Sequence, residues 1–379
     1  MIVAALACGL GTISGMIRKI ILKSQGLPMH SRSIGQRPLA TLAVTVFTLA
    51  TLLPASLRAG PAYDQTRPEL EAVLADLIAW LPGGWDSYPQ VHFERRYRVP
   101  AEGEHEHWYR VFERVDAPQI GDVVFYGQIN LGGRDGPLMH RTQILYKVWI
   151  DEKRGAVVIN GQPPLNAEKY TDLHLHPELW GEVQMRDPEA INCDFLLRRD
   201  GEQIFGVLDG KTDDRRTEGP GTCSYMVNKT DIRFVADAEW VFTPENLWVY
   251  DINLMAGHQF VGRKDRTHIR MSRARNYDCK VTDSSGERSW SAYDRGATLA
   301  VKTKDGRELQ LMLLRAHLPN AAVKGMFDRL HFMVQKPGED APIQDLEFAP
   351  RSAEASIIYA GVEARCTLNP ARFVAGKKP

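Results

Sequence analysis

Several side chains in this sequence stand at spacings that could do chemistry. Cys193 and Cys223 lie at the two ends of a polar, Gly-rich segment, INCDFLLRRDGEQIFGVLDGKTDDRRTEGPGTC. They could be a disulfide, a metal pair, or a thiol nucleophile with its relay. His174 and His176 in DLHLHPE fall at alternate positions of a strand, a geometry that can hold a metal, and HEHW supplies His105 and His107. No third and fourth ligand follows at useful spacing, and Pro177 marks a strand end, so no metal is expected. In RTQILY, a strand would put Arg141 and Gln143 on one face and Tyr146 on the other. An inward Arg141 would pair with the acidic group of a ligand through its planar two-donor fork. The plainer alternative is a rim arginine paired with Asp or Glu on the next strand. LWVYDINLMAG puts Trp248, Tyr250 and Ile252 on one face and Leu247, Val249 and Asp251 on the other. The aromatic face would suit a flat conjugated ligand, or would simply fill a core. A buried Asp251 needs a partner. There is no Gly-x-Ser-x-Gly elbow and no P-loop, and the glycines of GQINLGGRDG sit between strands without opening a helix.

The elements that must position these groups are mostly strands. RPELEAVLADLIAWL carries a 3.6-residue stripe of Leu70, Val73, Leu74, Leu77, Ile78 and Leu81, with Pro68 in the first turn and Gly83-Gly84 at the exit. This predicts one helix lying on or plugging something apolar. Thereafter the period is two, in runs such as YRVFERV, DVVFYGQIN, QILYKVWID and GAVVING, parted by Gly, Asp, Asn and Pro clusters. That pattern predicts an all-β chain: an antiparallel sheet, sandwich or barrel. Beyond Val281 the polar TDSSGERSW reads as a link, and strands resume with an Asp305-Gly306 hairpin signal. The expected organisation is an upstream segment at 1–59, a β body at 66–280, and a C-terminal β extension or small β domain at 281–370.

The cysteines are decided by compartment, which the N-terminus addresses. Met29 to Ala59 has Arg32 and Arg37, an apolar run from Leu39 to Leu53, then Pro54 and small residues, which is the layout of a secretory signal peptide starting at Met29. The run is too short for a spanning helix, so an uncleaved signal is the one route to a membrane. The segment before Gly60 holds six of the 47 basic residues and no acidic ones, leaving 41 basic against 47 acidic. Such a mildly acidic surface offers no field for nucleic acid. Export to the periplasm or beyond makes a Cys193–Cys223 bridge the leading reading over free thiols or zinc, neither cysteine belonging to a C-x-x-C pair. Cys279 with Cys366 would be the second bridge, although four cysteines allow three connectivities.

GGWDSYPQ after the helix, then GQIN, RTQILYKVW, INCDF, FGVLDG, GTC, LWVYDINLMAGHQFVG and IRMSRARNY, in this order, resemble the CpcT/CpeT phycobiliprotein chromophore lyase family over roughly Glu69 to Cys279. The resemblance implies a closed antiparallel calycin-like barrel, often dimeric, holding an open-chain tetrapyrrole (a bilin) that its members attach to a cysteine of an acceptor protein. It matches Gly84, Asp86, Ser87 and Gln90, with Trp85 replacing a Phe. Gln128, Arg141, Gln143, Tyr146 and Asp251 fall on its motifs and, with Trp248, are the ligand-binding candidates. An export signal and about 90 further residues depart from the family. Physically, these favour an exported carrier of a hydrophobic or tetrapyrrole-like ligand over lyase chemistry, with a filled structural barrel as the alternative.

Overall fold

A computed structural model describes residues 65–373 apart from 141, 187–192, 210–221, 227–231, 256–257, 262–266, 321–323 and 340. The expected signal and Arg141 lie outside the described residues. Helix α1 (Arg67–Trp80) begins where the Glu69 carboxylate accepts hydrogen bonds from the Thr66 amide at 2.7 Å and the Thr66 hydroxyl at 2.8 Å. It leads into β1 (Gly83–Asp86), α2 (Tyr88–Arg96), β2 (Trp108–Arg114), β3 (Val123–Leu131), β4 (Ile144–Asp151) and β5 (Ala156–Gln162). Short 3₁₀ turns at Ala167–Tyr170, Leu173–Leu175 and Pro177–Glu182 precede β6 (Asp194–Asp200) and β7 (Gln203–Leu208). Then follow β8 (Thr222–Met226), β9 (Arg233–Phe242), β10 (Asn246–Met255), β11 (His258–Val261) and β12 (Ile269–Arg273).

These strands form an antiparallel barrel. The pairing runs β10-β12-β1-β2-β3-β4-β5-β6-β7-β9, and β9 returns to β10 along Leu247↔Phe242 to Met255↔Phe234, closing a ring of ten. Alternation along each strand sends one set of side chains into the lumen. Trp85, Phe112, Phe125, Val157, Leu197, Trp240, Leu247 and Met271 share that core, and α1 adds Leu70, Val73 and Leu77 at the end where β4 meets β5 and β6 meets β7. Arg67 pairs with Glu152 in the β4–β5 turn at 2.6 Å, and Arg199 beside the β6–β7 turn pairs with Asp76. Arg273 finishes this end. Its guanidinium lies 4.3 Å from the Trp85 ring centre and donates to the Pro82 carbonyl at 2.8 Å and to the Trp80 carbonyl, where a helix C-terminus favours a cation.

The chain leaves the barrel at Arg273 rather than near residue 280. It enters a two-sheet sandwich of β13 (Asn276–Asp283), β14 (Gly286–Tyr293), β15 (Arg295–Lys302), β16 (Glu308–Asn320), β17 (Gly325–Gln335), β18 (Gln344–Phe348), β19 (Glu354–Tyr359) and β20 (Val362–Asn369). One sheet has the order β14-β13-β20-β19 and the other β15-β16-β17-β18. The stretch read as a link is the β13–β14 hairpin, paired from Asp283↔Gly286 onward, with Gly286 at φ +109°. Its polar composition reflects a turn: the Asp283 carboxylate accepts from the Ser285 and Lys302 amides at 2.8 and 3.0 Å. The DG hairpin joins β15 to β16 with Gly306 at φ +83°.

Both cysteine pairs are disulfides, Cys193–Cys223 and Cys279–Cys366. The second joins directly opposed residues of β13 and β20. The two bridges are compatible with an oxidising environment. Among the described residues no helix is long and apolar enough to cross a membrane.

The sandwich core takes in Tyr109 and Val111 from the outside of the barrel, while Tyr88 and Val91 of α2 pack against Met312, Leu314 and Met333. A chain ended at Ala274 would expose these surfaces and is expected to aggregate; a soluble monomer in sedimentation would show instead that the barrel stands alone. The Cys279–Cys366 bridge closes an 87-residue separation. Replacing both cysteines by alanine should cost about 4.6 kcal/mol in urea unfolding, the chain-entropy expectation for a loop of this size.

Candidate lumen site

Strand β2 alternates Trp108, Arg110 and Phe112 into the barrel, so a cation enters an otherwise apolar row. Arg110 is 5% exposed. Its guanidinium carbon lies 4.6 Å from the centres of both the Phe112 and Trp240 rings. One terminal nitrogen donates to the Tyr146 hydroxyl at 2.9 Å. Among the described residues no carboxylate comes within ion-pair distance of this arginine, although Asp251 is close enough to feel its charge. Trp240 is 3% exposed, and its indole Nε1 is a buried donor with no acceptor among the described residues. The site therefore has unused donor capacity, from the guanidinium and the indole, surrounded by aromatic surface. A buried donor left unmatched is costly, and an anionic or carbonyl oxygen would match it.

Two glycines make room for Tyr146. A Cβ at Gly127 or at Gly161 would stand 3.0 Å from the Tyr146 ring, so the phenol lies across positions that larger residues would occupy. The register explains the choice, with Phe112↔Gly127 and Tyr146↔Gly161 directly opposed on neighbouring strands. Burial raises the Tyr146 pKa, and Arg110 opposes the shift.

Asp251 also faces inward. It follows Leu247 and Val249 in the inward alternation of β10, opposite Ala238, and accepts a hydrogen bond from Asn253 Nδ2 at 2.7 Å. Burial pushes its pKa up to about 6, against the opposing influence of Arg110 and Asn253.

The other sequence candidates lie elsewhere. Gln128 and Gln143 belong to the opposite alternation and point out of the barrel. Gln128 donates to the Asp172 carboxylate at 2.7 Å, and Gln143 donates to the Ala167 carbonyl at 2.7 Å and the Thr171 hydroxyl at 2.9 Å. Both fasten the 3₁₀ segment against β3 and β4, where Tyr126, Leu145, Leu173 and Val183 form a small core. Trp248 is 40% exposed beneath Arg270 and lines no lumen, because the aliphatic face of β10 is the one that turns inward. His174 lies in a 3₁₀ turn and His176 between two such turns, neither on a strand, with His174 stacked on Tyr126 and His176 beside Glu178. Among the described residues no three His, Cys, Asp or Glu side chains are grouped to hold a metal ion.

Neither Arg110 nor Trp240 stands out in the sequence alone. The signal was present in WYRVFER, where a period of two puts the arginine in register with Trp108 and Phe112, but which face turns inward is a tertiary property.

No family model matches the sequence, and no curated protein matches it. Among solved structures, the selenomethionine CRL protein of Arabidopsis is similar with a TM-score of 0.39 at 12% identity, over 55% of this chain and 98% of that one. A likeness this distant fixes neither fold detail nor function.

Asp251 gives a signed pH expectation. Its folded pKa is raised above the unfolded value, so its ionisation opposes folding, and this penalty grows as pH rises from about 4 through 6. Asp251→Asn keeps an acceptor for Asn253 and cannot ionise. It should be more stable than the parent by about 2–3 kcal/mol at pH 8, with no difference near pH 3, in urea titrations at both pH values. An equal gap at both would mean that Asp251 does not titrate in this range.

Proposed function

We infer that the protein is an exported carrier of the CpcT/CpeT kind, a calycin-like barrel that binds a hydrophobic ligand bearing an acidic group. The observation that carries this reading is the Arg110 guanidinium, buried between Phe112 and Trp240 with no carboxylate within ion-pair distance among the described residues. A ligand carboxylate there would gain a charge-assisted hydrogen bond from Arg110, and the Trp240 indole supplies a second donor. Aromatic walls suit a flat conjugated body, and Asp251 would accept from ligand N–H groups. The family resemblance makes open-chain tetrapyrroles the first candidates, their propionates being the acidic groups. Attachment of such a ligand to an acceptor protein would need that acceptor in the same compartment. The signal-like Met29 to Ala59 and the disulfides favour binding without transfer.

A filled structural barrel is the second reading, favoured by the fully buried side chains that α1, Trp85 and Phe112 place in one end of the lumen.

Arg110→Met separates the two. In a carrier, biliverdin affinity should fall by about 2–5 kcal/mol, the range for removing one partner of a buried charge pair. Stability should hold or rise, because an apolar residue of similar volume replaces an unpaired buried cation. Biliverdin absorbance titration and thermal unfolding of the same samples provide both readouts. A destabilised variant, with no biliverdin bound by the parent protein, would support the filled barrel.

A further inference from the structure

At the barrel end opposite α1, three residues from separate elements meet. Glu94 is on α2, His105 lies just before β2, and Thr267 stands two residues before Ile269, a lumen residue of β12. Glu94 Oε1 is 2.6 Å from His105 Nδ1, while Glu94 Oε2 accepts the His105 backbone N–H at 2.8 Å, so the carboxylate is held at both oxygens. His105 Nε2 is 3.0 Å from Thr267 Oγ1. His105 is buried and Thr267 is exposed.

The hydrogen-bond pattern selects a tautomer. A carboxylate facing Nδ1 requires the proton there, which leaves the Nε2 lone pair directed at the threonine hydroxyl. Gln90 Nε2 also approaches Nδ1, at 3.1 Å, but the Gln90 amide is oriented by its contacts with β12: Oε1 accepts from the Arg270 amide at 2.8 Å and Nε2 donates to the His268 carbonyl at 3.3 Å. Gln90 thus already ties α2 to β12. The chain Glu94, His105, Thr267 is not needed for that attachment, and its order of carboxylate, imidazole and hydroxyl is that of a nucleophile with an oriented general base.

We propose that Thr267, His105 and Glu94 form a nucleophilic relay that accepts the acyl group of a carboxylic ester at the rim of the barrel. Thr267 Oγ1 bonds to the ester carbonyl carbon as its proton passes to His105 Nε2. The carbon–alkoxy bond then breaks, the departing alkoxide takes that proton, and an acyl-threonine remains. Water repeats the sequence, losing a proton to His105. Carboxylic acid is released, and the proton returns to Thr267. Glu94 is a positioning residue that holds the tautomer and stabilises the imidazolium. This inference is independent of the lumen reading.

The test incubates the full chain with 4-nitrophenyl butyrate, following nitrophenolate release and mapping the butyryl group by mass spectrometry. The expected adduct lies on Thr267. Thr267→Ser should retain it, while Thr267→Ala and His105→Gln should slow release about 10²-fold or more. Glu94→Gln should slow release through kcat with KM for the ester unchanged, since it removes the carboxylate that holds the His105 tautomer, and Glu94→Asp should recover part of the loss. Butyryl groups confined to lysines, absence of any adduct, or release unchanged in Thr267→Ala would overturn the proposal. Thr267 is exposed, so its variants keep the test valid if His105→Gln fails to fold.

Discussion

A closed ring of strands leaves its inward side chains little access to bulk solvent except through its ends, and Arg110, 5% exposed, carries a cation into that space. The interactions around it answer this constraint. Two aromatic faces at 4.6 Å and one phenolic hydroxyl at 2.9 Å stabilise the guanidinium without neutralising it. Such cation–aromatic contacts contribute about 0.5–2 kcal/mol each, well short of the cost of removing an ion from water. Asp251 shares the difficulty with the opposite sign, and burial outweighs the help it receives from Arg110. Two opposite charges that influence each other without forming a contact pair suit an occupant better than a sealed core.

The remaining architecture holds this lumen in shape. At one end Arg273 ties the α1 terminus to β12, and the turn between β9 and β10 is held from outside by Glu245, which accepts from Arg315 at 2.8 Å and Arg351 at 3.1 Å. Arg315 also reaches Asp328 at 2.8 Å, so one barrel turn is fastened to two parts of the sandwich. The buried Asp294 carboxylate accepts from the Arg275 amide and side chain where the chain passes between the two bodies. At the other end, the GGWDSYPQ stretch serves attachment. Asp86 accepts from the Tyr88 amide at 2.6 Å and lies 2.9 Å from His107, and the Ser87 hydroxyl accepts the Trp108 amide at 2.8 Å. Those contacts seat α2, which in turn supplies Glu94.

Strand alternation made much of the site legible in advance, up to the choice of face. Gln143, just before β4, and Tyr146 within it turn to opposite sides, as do Trp248 and Asp251 on β10. Which side faces the lumen depends on closure and on what covers the outside. The 3₁₀ segment covers Gln128 and Gln143, which turns two expected ligand contacts into fasteners. On β10 the aromatic Trp248 faces outward because Leu247 and Val249 complete the core between β9 and β12.

By itself, the sequence determined the local periods: one amphipathic helix, strands of period two, the DG turn, and four cysteines beyond residue 59, an even number open to three connectivities. These depend on neighbours within a few residues, or on parity alone. The tertiary structure decided what requires distant partners. Ring closure through β9 and β10 made Arg110 a lumen residue, and the departure of the chain at Arg273 made the C-terminal strands a sandwich of their own. Residues 94, 105 and 267 share no pattern along the chain; only the seating of α2 on β12 brings a carboxylate, an imidazole and a hydroxyl into line.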